Sequence, residues 1–125
     1  GHAWLSTLDD EVAIQKVARQ GFGAPGDFGP KAPTTVKALL AYVHAARKRG
    51  YSTISEVFAP AMASMAAPVV VRGTAIGVVT IAGPSVRLDE ARMKQLGGSL
   101  METARELAAL STASTLFRRR PAVEA

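Results

Sequence analysis

Met65-Ala66-Ala67-Pro68-Val69-Val70-Val71-Arg72-Gly73-Thr74-Ala75-Ile76-Gly77-Val78-Val79-Thr80-Ile81-Ala82 is the stretch on which the fold turns. Two β-leaning runs, 65–71 and 74–82, flank Arg72-Gly73, a pair suited to a tight turn, so the stretch predicts an antiparallel hairpin. Pro68 removes one ladder donor and Gly77 adds no side chain, which weakens the pairing locally. Both runs are apolar almost without interruption. A strand pair of that kind needs cover on both faces, and the expected class is α+β, with hairpin strands packed by amphipathic helices.

The flanks supply those helices. Downstream, Gly83-Pro84 closes the second strand. From Leu88 onward Met93, Leu96, Leu100, Thr103 or Ala104, Leu107 and Leu110 step mostly by three or four, predicting a long amphipathic helix to about Leu116. Gly97-Gly98 is its weak point, at roughly 1 kcal/mol per glycine relative to alanine, and marks either a close approach or a bend. Upstream, Thr34 or Thr35 caps a helix whose face is Val36, Leu39, Leu40, Val43 and Ala46, and Gly50 stops it. Tyr51–Ile54 reads as a short strand followed by a turn at Ser55-Glu56. Farther upstream, Thr7 ahead of Asp9, Asp10 and Glu11 predicts a helix over about Leu8–Gln20, with Gly21 ending it in a left-handed conformation. Gly21–Pro33 holds four glycines and three prolines and reads as a loop.

The 125 residues are 48% apolar and 20% charged, a globular composition of single-domain size. Zero cysteines exclude disulfides, thiolate metal sites and thiol chemistry. No run approaches the roughly 20 apolar residues of a membrane span, and the start lacks the basic-then-apolar order of a signal peptide, so the chain reads as soluble and cytoplasmic. Fifteen Lys and Arg against ten Asp and Glu give +5, a surplus that can mark a nucleic-acid partner. Its distribution argues otherwise. Arg47-Lys48-Arg49 falls in a last helical turn, where cations oppose the dipole, and Arg118-Arg119-Arg120 precedes Pro121 in what reads as a solvated tail over 118–125.

Catalytic chemistry has little to stand on. His2 and His44 are the only histidines, and both read as surface or hydrogen-bonded residues. No His, Asp or Glu pair has ligand spacing beside another, so neither a metal nor a cofactor is expected. Gly21-Phe22-Gly23-Ala24-Pro25-Gly26 lacks the preceding strand and the following lysine of a phosphate loop. A pocket is the better prospect. Ser52, Thr53, Ser55, Ser64 and Thr80 place hydroxyls on or beside apolar segments, and a few hydroxyls in a dry wall are what a small-ligand site needs. The competing account is that each bonds its own backbone.

The order of elements resembles a known family. Gly1-His2-Ala3-Trp4-Leu5-Ser6-Thr7-Leu8, then Arg47-Lys48-Arg49-Gly50-Tyr51-Ser52, then Ala66-Ala67-Pro68-Val69, then Ile81-Ala82-Gly83-Pro84 with Arg87-Leu88, is similar to the effector-binding domain of the isocitrate lyase regulator (IclR) family of bacterial transcription regulators. The resemblance runs from Gly1 to about Ser111. It implies a GAF-like sensor fold, a pocket for small organic or aromatic acids, and a chain that is the C-terminal portion of its domain (1–117), with a DNA-binding domain, a linker helix and the first half of the sensor preceding it. The family's polar ligand contacts would fall at Ile54, Ser64, Thr80 and Ala82, with a backbone contact at or before Gly1. Ile54 and Ala82 have lost the polar group, which points to a larger or more apolar effector than a small keto acid, held by Ser64 and Thr80.

The function expected is therefore a non-enzymatic ligand sensor whose effector shifts the geometry of a homodimer or tetramer, with DNA reached only through a domain outside this chain. The alternative is a structural or oligomerisation module whose pocket is filled by its own side chains. A cavity of several hundred cubic ångströms lined by Ser64 and Thr80 would separate the two, since ligand sites run to roughly 300–1,000 Å³.

Overall fold

The computed structural model describes residues 2–23, 28–57 and 59–112. Gly1, the second half of the glycine-rich hexapeptide, the last residues expected in the long helix and the 118–120 arginines lie outside them. In chain order the elements are α1 (His2–Leu5), α2 (Asp10–Gln20), α3 (Val36–Arg49), β1 (Ser52–Ser55), β2 (Met62–Val71), β3 (Thr74–Pro84) and α4 (Glu90–Ser111).

The hairpin forms as expected. Val71 pairs with Thr74 across a two-residue turn, and Arg72 (φ 52°) and Gly73 (φ 78°) both take the left-handed φ that a primed hairpin turn requires. β2 starts three residues earlier than the apolar run suggested, because Met62, Ala63 and Ser64 pair with Pro84, Gly83 and Ala82. β1 adds on the other side of β2, giving an antiparallel sheet in the order β1-β2-β3.

Within that sheet the two faces of β2 differ, a finer division than continuous apolarity implied. Ala63, Met65, Ala67 and Val69 are buried against α4, together with Leu88, Met93, Leu100 and Ala104. Ser64, Ala66 and Pro68, the alternating residues, face the other way and are only half-buried. The ladder slips between Val69 and Val70, which pair with Gly77 and Ala75 and leave Ile76 as an extra residue in β3. This bulge changes the phase of the strand. Ile76 on one side of it and Val79 and Ile81 on the other all pack towards α4, which leaves Val78 and Thr80 on the opposite face.

A second, smaller core joins α1, α2 and α3 through Leu5, Ala13, Leu39 and Val43. The α3 caps are as expected: the Thr35 side chain accepts from the Ala38 N–H, and Gly50 closes the helix at φ 91°. At α2 the expectation needs correcting. Asp9, not Thr7, is the N-cap, its carboxylate accepting from the Val12 N–H, while Thr7 Oγ1 donates to the Trp4 carbonyl at 2.6 Å. The short α1, which four residues cannot announce by periodicity, occupies the segment where Thr7 would have served. Gly21 does end α2 with positive φ (70°), but its ψ of −174° is extended rather than helical.

The last-turn arginine of α3 has a more specific role than opposing a dipole. Arg47 Nε donates to the Ser6 carbonyl at 3.1 Å, Nη2 to the Leu8 carbonyl at 2.7 Å and Nη1 to Asp10 Oδ1 at 3.0 Å. His44 Nε2 bonds the other carboxylate oxygen of Asp10 at 2.8 Å. Arg47 thereby fastens the α1–α2 connection to α3. Arg47→Met, which keeps the stem and removes the guanidinium, is expected to lower stability by about 1 kcal/mol in urea unfolding, because the bonds are only partly shielded from water. Hydrogen bonds from His44 and then Arg47 hold the Asp10 carboxyl below its ordinary 3.8. A carboxyl depressed in the folded state contributes stability above that value, and the contribution is lost as the pH falls below it.

Candidate functional site

Small side chains on the non-α4 face of the sheet leave room beneath α1. Two cross-strand rows form the floor: Ser52, Ala66 and Thr80 in one, Ile54, Ser64 and Ala82 in the other. Over this floor lies a cavity of about 400 Å³. Its walls come from α1 (His2, Ala3, Leu5), the end of α2 (Val17, Gln20), the following loop (Gly21, Phe22, Phe28, Ala32, Pro33), Leu39 of α3, and Val57.

The four side-chain positions expected at a ligand site thus share one sheet face. Ser64, Thr80 and Ile54 line the cavity, whereas Ala82 lies at the outer end of its row and is exposed, outside the lining. Gly1 lies outside the described residues. Of the other flagged hydroxyls, Ser52 lines the cavity but bonds the Ala66 carbonyl at 3.4 Å. Thr53 and Ser55 fall on the opposite face by strand alternation, opposite Met65 and Ala63. Among the described residues no side-chain hydrogen bond engages Ser64 or Thr80, so both hydroxyls remain available to a ligand.

His2 is the residue that sequence reasoning missed. It is neither a surface histidine nor a satisfied one: its ring lines the cavity, stacks on Tyr42 at 4.9 Å and 27°, and has a buried Nδ1 with no hydrogen-bond partner among the described residues. Burial lowers its pKa from 6.5 to about 4. The clue was its place inside the Gly1–Leu8 segment that carries the family resemblance. Phe22 and Phe28 gave no signal, because they sit in an aperiodic Gly/Pro loop. His44, by contrast, is bonded to Asp10 as expected of a satisfied surface histidine.

The wall is apolar with scattered donors. Among the described lining residues there is no lysine, arginine, aspartate or glutamate, and His2 is the one ionisable side chain. Nothing in this arrangement places a nucleophile beside a base. The cavity has the size and lining of a small-molecule site, with hydroxyls of Ser64 and Thr80 on its floor and Phe22 and Phe28 in its wall.

Comparison with known proteins agrees with this geometry. The family model described as bacterial transcriptional regulator IclR, C-terminal, matches residues 3–109. The HTH-type transcriptional regulator BhcR of Paracoccus denitrificans is 33% identical over 75 residues, covering 59% of this chain and 27% of that protein. Among solved structures, the inducer-binding domain of an Acinetobacter PobR double mutant, in complex with 3-hydroxybenzoic acid, superposes with a TM-score of 0.76 at 25% identity, over 87% of this chain and 62% of that one. Thermotoga maritima IclR superposes with a TM-score of 0.77 at 18% identity, over 87% and 43%. The chain therefore spans about a quarter of BhcR and less than half of the Thermotoga protein.

Proposed function

The chain belongs to the C-terminal domain family of bacterial IclR transcriptional regulators, and on that premise we propose that its cavity is the effector site of a ligand-sensing domain, taking a small organic acid, preferably an aromatic one. The observation that carries this reading is the cavity of about 400 Å³ floored by Ser64 and Thr80, a volume that a purely structural module would fill with its own side chains. The aromatic preference rests on Ile54, Phe22 and Phe28 in the wall, and it is supported by the hydroxybenzoate complex of the similar PobR domain.

The domain acts without catalysis. Its effector shifts the geometry of a homodimer or tetramer, and DNA is reached in the cytoplasm through a domain outside residues 1–117, with 118–125 as a basic tail. Calorimetric titration tests the ligand class: aromatic acids are expected to bind more tightly than glyoxylate or pyruvate, and the reverse order overturns the aromatic assignment. Ser64→Ala and Thr80→Val are each expected to weaken the preferred acid by about 3- to 10-fold, the worth of one net hydrogen bond.

A further inference from the structure

Resting on the reading that the cavity is an effector site, we propose that the effector's acidic group is met by the His2 imidazole, so that the cavity takes up an organic anion together with one proton. The premise is an imbalance of charge. A carboxylate entering a largely apolar cavity gives up part of its hydration and is held best beside a positive group, and the described lining holds no lysine or arginine. Hydroxyls of Ser64 and Thr80 orient an anion but do not neutralise it. Among the described lining residues His2 is the side chain that can become cationic, and its Nδ1 is buried without a hydrogen-bond partner among them.

The surroundings of His2 leave that role to it. β2 and β3, which pack on α1, carry no ionisable side chain. From α3 the ring of Tyr42 stacks on it, and the Tyr42 hydroxyl is directed to the Lys31 carbonyl at 3.4 Å. The guanidinium of Arg47, on the same helix, is taken by Ser6, Leu8 and Asp10. Gln20, from the end of α2, is uncharged. Without ligand, burial keeps the imidazole neutral down to about pH 4; beside a bound carboxylate the charged form is favoured, so its pKa rises on binding. A group that gains a proton on binding makes affinity fall as the pH rises between the free and bound values.

The test is calorimetric titration of the full-length protein that carries this chain with benzoate, 3-hydroxybenzoate and phenylacetate, and with the matching neutral amides, at pH 5, 6 and 7. At least one acid is expected to bind, weakening by about tenfold or more in total from pH 5 to 7, with uptake of close to one proton measured from buffers of different ionisation enthalpy. His2→Gln, which keeps a donor but cannot titrate, is expected to retain binding with a flat pH profile. An acid that binds with no pH dependence to the unaltered chain overturns the His2 assignment while leaving the effector site standing. So does a pH slope that survives in His2→Gln, because the proton then rides on the ligand carboxyl. Binding of amides but not acids also overturns it and keeps the site. Failure of every acid and amide overturns the effector-site reading itself. Because the slope is read first on the unaltered chain, a variant that folded poorly would not rescue the proposal.

Discussion

Gly29→Ala is expected to destabilise the chain by about 3–4 kcal/mol, at the upper end for a single substitution. Gly29 is buried where the loop after α2 crosses the end of β1, and a Cβ placed there overlaps the Glu56 carbonyl oxygen, with the Ala59 carbonyl carbon at 3.0 Å. These neighbours are backbone, so no rotamer change relieves the clash. The crossing is also laced by hydrogen bonds, from the Gly29 N–H to the Val57 carbonyl and from the Lys31 N–H to the Glu56 carbonyl, both at 2.9 Å. Forcing the strands apart breaks these and shifts Phe28, Ala32, Pro33 and Val57, all of which wall the cavity. Urea unfolding and ligand titration should therefore decline together; a variant with unchanged stability would show that the crossing yields more easily than its bonding implies.

Gly97→Ala is expected to cost about 2 kcal/mol, against the usual gain from replacing a helical glycine. A Cβ at Gly97 would sit 2.5–2.6 Å from the Tyr51 ring and hydroxyl, and Tyr51 is itself buried in the core shared by β2 and α4. The adjacent Gly98 is exposed with nothing within 4 Å of a Cβ. Gly98→Ala should accordingly stabilise by about 0.5–1 kcal/mol. Opposite signs at neighbouring glycines, read by thermal or urea unfolding, are the discriminating result. In a Tyr51→Leu background the Gly97→Ala penalty should shrink, since the two positions share one contact.

The Gly97 pocket explains what periodicity could and could not reveal. A glycine pair in an amphipathic helix announced either a bend or a close approach, and the choice depended on Tyr51, which lies 46 positions upstream and carries no local sign of that contact. Local rules read the hairpin turn, the Thr35 and Gly50 caps and the α4 face from Met93 to Leu107 correctly, because each is decided within a few residues, whereas Leu110, expected on that face, is exposed. They failed at Asp9, where a preceding single turn of helix consumed Thr7, and at the Ile76 bulge, which exists only relative to a partner strand. Motif order pointed to Ser64, Thr80 and Ile54, and the structure sets all three in the cavity lining. His2 was misread because a lone histidine near the start of a chain says nothing of the ring it stacks on, and the aromatic walls were invisible because the loop that bears them has no period.

The alternation in β2 has a consequence for how such a domain changes over time. Odd positions from 63 to 69 serve the α4 core, while even positions 64 and 66 serve the cavity. Substitutions on opposite faces of a strand share few neighbours, so their effects combine nearly independently. Two texts are written in one strand, letter by letter: one is held constant by packing and the other is free to be respelled for a new ligand. Beyond Ile76 the bulge keeps the same two texts in phase on β3, so a new chemical preference can be composed at 64, 66, 78 and 80 without redrafting the core.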